Sequence, residues 1–116
     1  MGKIYHIAYE VDWLEARRDG FYRVSTRGRT LAEQGFIHAG RAHQVAQVAN
    51  AVYSGQTGLV VLVIDEDRVT SRMVDEPPPG SAELFPHIYG PLNVDAVVAT
   101  RRLGTDSDGR FTFTDG

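Results

Sequence analysis

The stretch GLVVLVID, Gly58–Asp65, decides how the chain is read. Its run Leu59–Ile64 is apolar without alternation, which predicts a strand covered on both faces. Such a strand needs a layer packed on each side. The same run is the longest apolar segment in the chain and is far too short to span a bilayer. Met1–Ala8 lacks the apolar region of a signal peptide. On this reading no membrane partner is expected.

Working outward, Lys3–Ala8 reads as a first strand. Asp12 is placed to cap a short helix that runs to Arg18 and ends at Gly20. Phe21–Ser25 reads as extended. TLAEQG, Thr30–Gly35, carries the Thr-x-x-Glu pattern of a capping box, closed a turn later by Gly35. GFIHAG, Gly35–Gly40, is a brief apolar strand that ends in His38. Val45, Val48, Ala49, Val52 and Tyr53 then form one apolar stripe, which predicts a helix from about Arg41 to Tyr53, closed by Ser54-Gly55. Beyond Asp65, a turn through Arg68 leads to a strand over Val69–Glu76. Pro77-Pro78-Pro79-Gly80 is a loop with no strand option. Phe85–Tyr89 is short and extended, and Val94–Leu103 reads as another strand. Gly104–Gly109 is a polar turn, and Arg110–Thr114 is a last edge strand or a frayed tail. Strand, helix, strand, helix, then mostly strands is an α+β order. The 116 residues suit one domain, 1–116, with 104–116 as its polar end.

Composition narrows the chemistry. There is no cysteine, which excludes disulfides, thiol catalysis and cysteine-ligated metal and fits a cytoplasmic location. The net charge of −3 is opposite in sign to a broad nucleic-acid footprint. Arg17, Arg18, Arg23, Arg27, Arg29 and Arg41 crowd the first part of the chain, either as a solvated surface or as a shared anion site. HExxH, P-loop, GxGxxG and GxSxG patterns are all missing. His38 and His43 are poorly spaced for one metal, and no metal site is expected.

Two places carry candidate chemistry. At GFIHAGRAHQ a strand ends at His38 and a helix starts just beyond, so Gly40, Arg41 and His43 surround a helix N-terminus that could seat a phosphate. The competing reading is a buried His38 bonded to backbone and a solvated Arg41. At FPHIYGPLN, Phe85–Asn93, His87 and Tyr89 share one face of an extended segment while Ile88 points the other way. Two amphipathic rings in a frame stiffened by Pro86 and Gly90-Pro91 suit a flat ligand, or a corner capped by the tyrosine hydroxyl. The expectation is a cleft with these rings on one wall and His38 on the other. Glu76, at a strand end beside the prolines, is either a ribose or cation contact or an exposed strand end. Asp65-Glu66-Asp67 reads as solvated, and Asn50 as a half-buried structural residue.

GFIH, Gln44 and Asn50 in the helix, VVLVID, Glu76 before its loop, and FPHIYGPL together resemble the domain of unknown function 952 family, small bacterial proteins, over about Lys3–Leu103. The resemblance implies an ADP-ribosyltransferase-like fold, a split β core of two small sheets with flanking helices. It implies a cleft for NAD or an ADP-ribose-like nucleotide. In the catalytic set it implies His38 on ribose or phosphate, Glu76 as stabiliser of an oxocarbenium-like transition state, and His87. Tyr89 or His87 would supply the ring or a phosphate contact, and with the phosphate seat read above the expected ligand contacts are Gly40, Arg41, Gln44 and Tyr89. Transfer of an RNA 2′-phosphate to NAD is a subtype. The chain departs from the family's usual Ser or Thr at positions 40 and 41 and Glu at 43, having Gly40, Arg41 and His43. Glu76 also precedes FPHIYG, whereas the transferases' acid comes late. The alternatives are a non-catalytic nucleotide or anion module and a scaffold without ligand.

Overall fold

The computed structural model describes residues 2–115. In chain order its elements are β1 (Lys3–Tyr9), α1 (Glu10–Asp19), β2 (Phe21–Tyr22), β3 (Val24–Thr26), β4 (Arg29–Thr30), α2 (Leu31–Gln34) and β5 (Ile37–His38). Next come α3 (Val45–Val52), β6 (Leu59–Asp65), β7 (Arg72–Glu76), β8 (Phe85–Tyr89), β9 (Leu92–Asn93), β10 (Val97–Arg101), β11 (Gly104–Thr105) and β12 (Phe111–Thr112). Short 3₁₀ turns stand at Ala42–Gln44, Glu66–Arg68 and Val94–Ala96.

β6 is the central strand of a three-stranded sheet in the order β1-β6-β10, antiparallel throughout. Both of its faces are covered, as its unbroken apolar run requires. Val61 and Val63 face α3, where they pack with Tyr5, Ile7, Val45, Ala49 and Tyr53. Leu62 and Ile64 face the opposite way, into a cluster with Trp13, Tyr22, Ile37, Ile88 and Leu92. Ile37 and Ile88 belong to a second three-stranded sheet, β5-β8-β7, so this cluster lies where the two sheets meet. The architecture is a small α+β fold with several short sheets and few helices.

Local signals explain most boundaries. Thr30 and Glu33 form the reciprocal capping box of α2, and Gly35 ends it in a left-handed conformation. Asn50 donates to Ala46 O (2.9 Å) and Phe111 O (3.0 Å) and accepts from Phe111 N (2.8 Å), which fastens β12 to α3. Some boundaries differ from the sequence reading. α1 starts at Glu10 with Tyr9 as N-cap, so Asp12 lies inside the first turn, where a carboxylate still complements the helix dipole. The strand expected from Val69 begins at Arg72, and the one expected from Val94 begins at Val97 after a 3₁₀ turn. The polar end is a small β11–β12 hairpin. Among the described residues, no helix is long and apolar enough to cross a membrane.

Pro86 sits in β8, the middle strand of its sheet, where proline is unusual. Its carbonyl accepts from Ala39 N at 3.1 Å. In an antiparallel hydrogen-bonded pair one residue directs both backbone groups to the same neighbour. The missing donor of Pro86 therefore faces the point where the chain leaves β5. There Gly40 turns to the first sheet and exchanges two backbone bonds with Tyr5, each 2.8 Å.

The corner after β8 gives a direct test of packing. A Cβ on Gly90 would lie 2.5 Å from Ser71 Oγ, which is itself held by a bond to Pro91 O at 2.8 Å. Gly90→Ala is expected to lower the unfolding free energy by about 1–3 kcal/mol in urea melts. Ser71→Gly in the same chain should recover the part of that loss due to the contact, the rest remaining because Gly90 has φ 155°, a conformation that alanine adopts only with strain. Equal loss with and without Ser71 would show that the clash is not the cause.

Candidate functional site

β5 and β8 pair in the register Ile37↔Ile88 and His38↔His87. The isoleucines go to the core, and the histidines lie side by side on the other face, their ring centroids 5.2 Å apart. This corrects the expected layout. His38 and the FPHIYG rings share one wall, because neighbouring residues in an antiparallel pair project to the same side.

Glu76, at the end of β7, joins the two rings of FPHIYG. His87 Nδ1 lies 2.8 Å from Glu76 Oε2, and the Tyr89 hydroxyl donates to the same oxygen. A carboxylate only accepts, so Nδ1 carries the proton and Nε2 is left as the free ring nitrogen. That Nε2 is buried without a hydrogen-bond partner. The bond from Tyr89, and then that from His87, hold the Glu76 carboxyl below its usual range, and the same contact raises the Tyr89 phenol. Phe36 stacks on His87 at 3.9 Å with planes 15° apart. The ring face that a ligand would need on His87 is therefore already covered, and only 1 % of His87 is exposed.

His38 is different. It lines an open cleft of about 210 Å³ with Ser25, Thr26, Gln34, Phe36, Val52, Pro78 and Pro79. Its backbone carbonyl accepts from His6 Nδ1 at 2.5 Å, and the Tyr22 hydroxyl donates to His6 Nε2 at 2.9 Å. His6 is thus a buried neutral prop beneath the strand that carries His38. Burial lowers the His6 pKa from 6.5 to about 4 against the raising effect of the His38 carbonyl. Burial, and then the neighbouring His87, lower that of His38 to about 4 as well. At neutral pH His38 offers the cleft an uncharged imidazole.

Gly40, Arg41 and Gln44 do not line this cleft. The helix start they occupy is internally satisfied. Gln44 Oε1 accepts from Arg41 N at 2.8 Å, while its Nε2 donates to Glu83 Oε2 and Leu84 O, both at 2.9 Å. A Cβ on Gly40 would meet Gln44 Cβ at 3.4 Å, an ordinary contact, so space alone does not require glycine here. Arg41 pairs with Glu66 and, at 3.2 Å, with Asp75. Glu66 is accordingly an ion-pair partner and not simply solvated. A phosphate seat here would have to compete with two carboxylates.

Ser25, Thr26, Gln34, Phe36 and the two cleft prolines were not singled out by sequence. Phe36 sits inside GFIH, and the Pro77–Gly80 loop was visible as a rigid segment, but the closure of β3 over β5 is a long-range event. Among the described residues, no group of three or more His, Asp or Glu is placed to hold a metal ion.

The fold and site define a small α+β protein whose cleft is built around one uncharged histidine. The family model described as "Protein of unknown function (DUF952)" matches residues 7–100, and the chain belongs to that family. The crystal structure of protein CC0527 from Caulobacter crescentus is similar, with 29 % identity and a TM-score of 0.81 over 96 % of this chain and 94 % of that one. The solution NMR structure of CC0527 is 31 % identical with a TM-score of 0.75, covering 94 % and 90 % of the two chains. No curated protein matches.

The two depressed histidines set a pH dependence. Below pH 6.5 the unfolded chain takes up protons that native His6 and His38 refuse until about pH 4. Stability is therefore retained above 6.5 and lost as pH falls towards 4, by roughly 2–3 kcal/mol for each group. Urea midpoints measured across this range should fall, and His38→Asn should flatten part of the slope. A pH-independent midpoint between 6.5 and 4.5 would contradict the buried neutral assignment.

Proposed function

We propose that the His38 cleft binds a nucleotide of the NAD or ADP-ribose type. The observation that carries this reading is the make-up of the cleft: a neutral imidazole among small polar side chains, between the flat apolar surfaces of Phe36, Pro78 and Pro79. Flat apolar walls suit a planar ring, and a neutral imidazole can both donate to and accept from a ribose hydroxyl. Two of the small sheets are three-stranded and meet in one core, with α3 on the outer face of the first, which is in keeping with the ADP-ribosyltransferase-like fold that the family resemblance implies. A cleft of this size takes one ring of a small-molecule nucleotide and leaves the rest of the ligand at its mouth.

Within that reading a binding role is favoured. Glu76, the acid that a transfer reaction would use, is held by His87 and Tyr89 and is not among the cleft residues. One observation favours catalysis instead. The carboxylate of Glu76 fixes the tautomer of His87 and leaves a buried, unpartnered Nε2 beside His38. Nε2 makes no hydrogen bond to His38 here, so a catalytic form needs a ligand or water to connect the two rings.

Labelled protein titrated with NAD, ADP-ribose and nicotinamide tests both. Saturable shifts are expected at Ser25–Thr26 and Gln34–Ala39, and folded His38→Ala should lose them. Release of nicotinamide from NAD in the same samples, abolished in Glu76→Gln, would establish the catalytic form. No shift at millimolar ligand would remove NAD and ADP-ribose from consideration.

A further inference from the structure

Ser25 is entirely buried, yet its Oγ has no hydrogen-bond partner. A buried hydroxyl without a partner lowers stability, so folding alone gives no reason to keep it. It borders the His38 cleft with none of it exposed, so it lies just beneath the inner end, and a ligand reaches its Oγ only where the side chains above it give way. Thr26, the next residue, also lines the cleft, because the register of β3 against β4 shifts between Val24 and Thr26.

Immediately after Thr26 the chain turns at Arg27-Gly28, with Gly28 at φ 73°, into Arg29. Both arginines are exposed, and both reach back to residues that line the cleft. Arg27 Nη1 donates to Val52 O at 2.9 Å, and Arg29 Nη1 donates to Gln34 Oε1 at 3.2 Å. Those acceptors are neutral. Among the described residues, neither guanidinium lies within 4.0 Å of a carboxylate, whereas Arg23 and Arg41 are both paired. Each guanidinium keeps most of its five N–H donors for another group, and its fork matches a phosphate.

We infer that the cleft has two chemically distinct ends, an inner hydrogen-bonding end at Ser25 and an outer phosphate seat on the Arg27–Arg29 hairpin. The ligand is then a phosphorylated nucleoside that enters ring first, with a polar ring atom on Ser25 Oγ and its phosphates on the two guanidiniums. This deepens the nucleotide reading above and rests on it. It also assigns two residues of the arginine-rich first part of the chain to an anion, where Arg41 is already committed to carboxylates.

ADP-ribose, adenosine and inorganic pyrophosphate, titrated against the full chain, separate the two ends. Arg27→Gln/Arg29→Gln should weaken ADP-ribose about 10- to 100-fold while leaving adenosine unchanged, the loss expected for charge-assisted bonds. Ser25→Ala should weaken ADP-ribose and adenosine alike, by roughly 3- to 10-fold for one neutral hydrogen bond. The same Ser25→Ala chain without ligand should melt at an unchanged or higher temperature, because it sheds an unpartnered buried hydroxyl. A lower melting temperature would reveal a structural partner for Ser25 and overturn the inner end, whatever the ligand. Equal loss of ADP-ribose and adenosine in the arginine variant, or wild-type affinity in both variants, would overturn the inference while the nucleotide reading stands. Pyrophosphate binding that needs the arginines, with no response to adenosine or ADP-ribose, would keep the phosphate seat and remove the nucleotide. No binding of any probe would overturn both.

Discussion

Everything at the candidate site depends on the crossing segment Ile37–Gly40. Its first half pairs with β8, and its last residue pairs with Tyr5 on β1. One short stretch therefore stitches the two sheets together. His38 stands at the crossover, with its carbonyl gripped by the buried His6 and its ring turned to the cleft. Pro86 fits this geometry because the strand beside it departs where a proline has no donor to give. If the register of β5 slipped by one residue, Ile37 and His38 would exchange faces, and the core and the cleft would be lost together.

The polar groups around the crossover form two tiers of different character. Below the strand, Tyr22 and His6 make a closed chain that ends on a backbone oxygen. Every member has a partner, and burial keeps the imidazole neutral. Above it, Tyr89, Glu76 and His87 make a chain that ends on an unpartnered nitrogen. The first chain explains rigidity. The second stores an unmet hydrogen bond next to the cleft, and buried networks left incomplete in this way are costly unless something else uses them.

The sheet that carries the fold was legible because Leu59–Ile64 has no polar alternation, and coverage on both faces follows from that alone. The capping box at Thr30–Glu33 and the apolar stripe of the α3 helix were legible for the same local reason. Nearness of His38, His87, Glu76 and Tyr89 could be suspected from motif position, but their arrangement could not. Whether two histidines share a wall or face each other is decided by strand register, which depends on pairing across some fifty residues. The cleft's remaining lining, Ser25, Thr26 and Gln34, comes from a short irregular hairpin and a four-residue helix with no periodicity to read. The helix start at Arg41–Gln44 resembled an anion site because its charges were visible and its partners Glu66, Asp75 and Glu83 lay far along the chain.

The proline-rich loop is tethered at both of its ends by carboxylates. Glu76 is tied to β8 through His87 and Tyr89, and Glu83 is tied to the start of α3 through Gln44 and Gln47. Pro78 and Pro79, which form one side of the cleft, hang between these two anchors. An arch that is short, stiff and pinned at both feet has little conformational freedom left to lose. A guest entering beneath it would meet a wall already in place, so selectivity would follow shape more than adaptation. Distant changes at Glu83 or Gln47, which touch no part of the cleft, would then act on its occupant by loosening one foot of the arch.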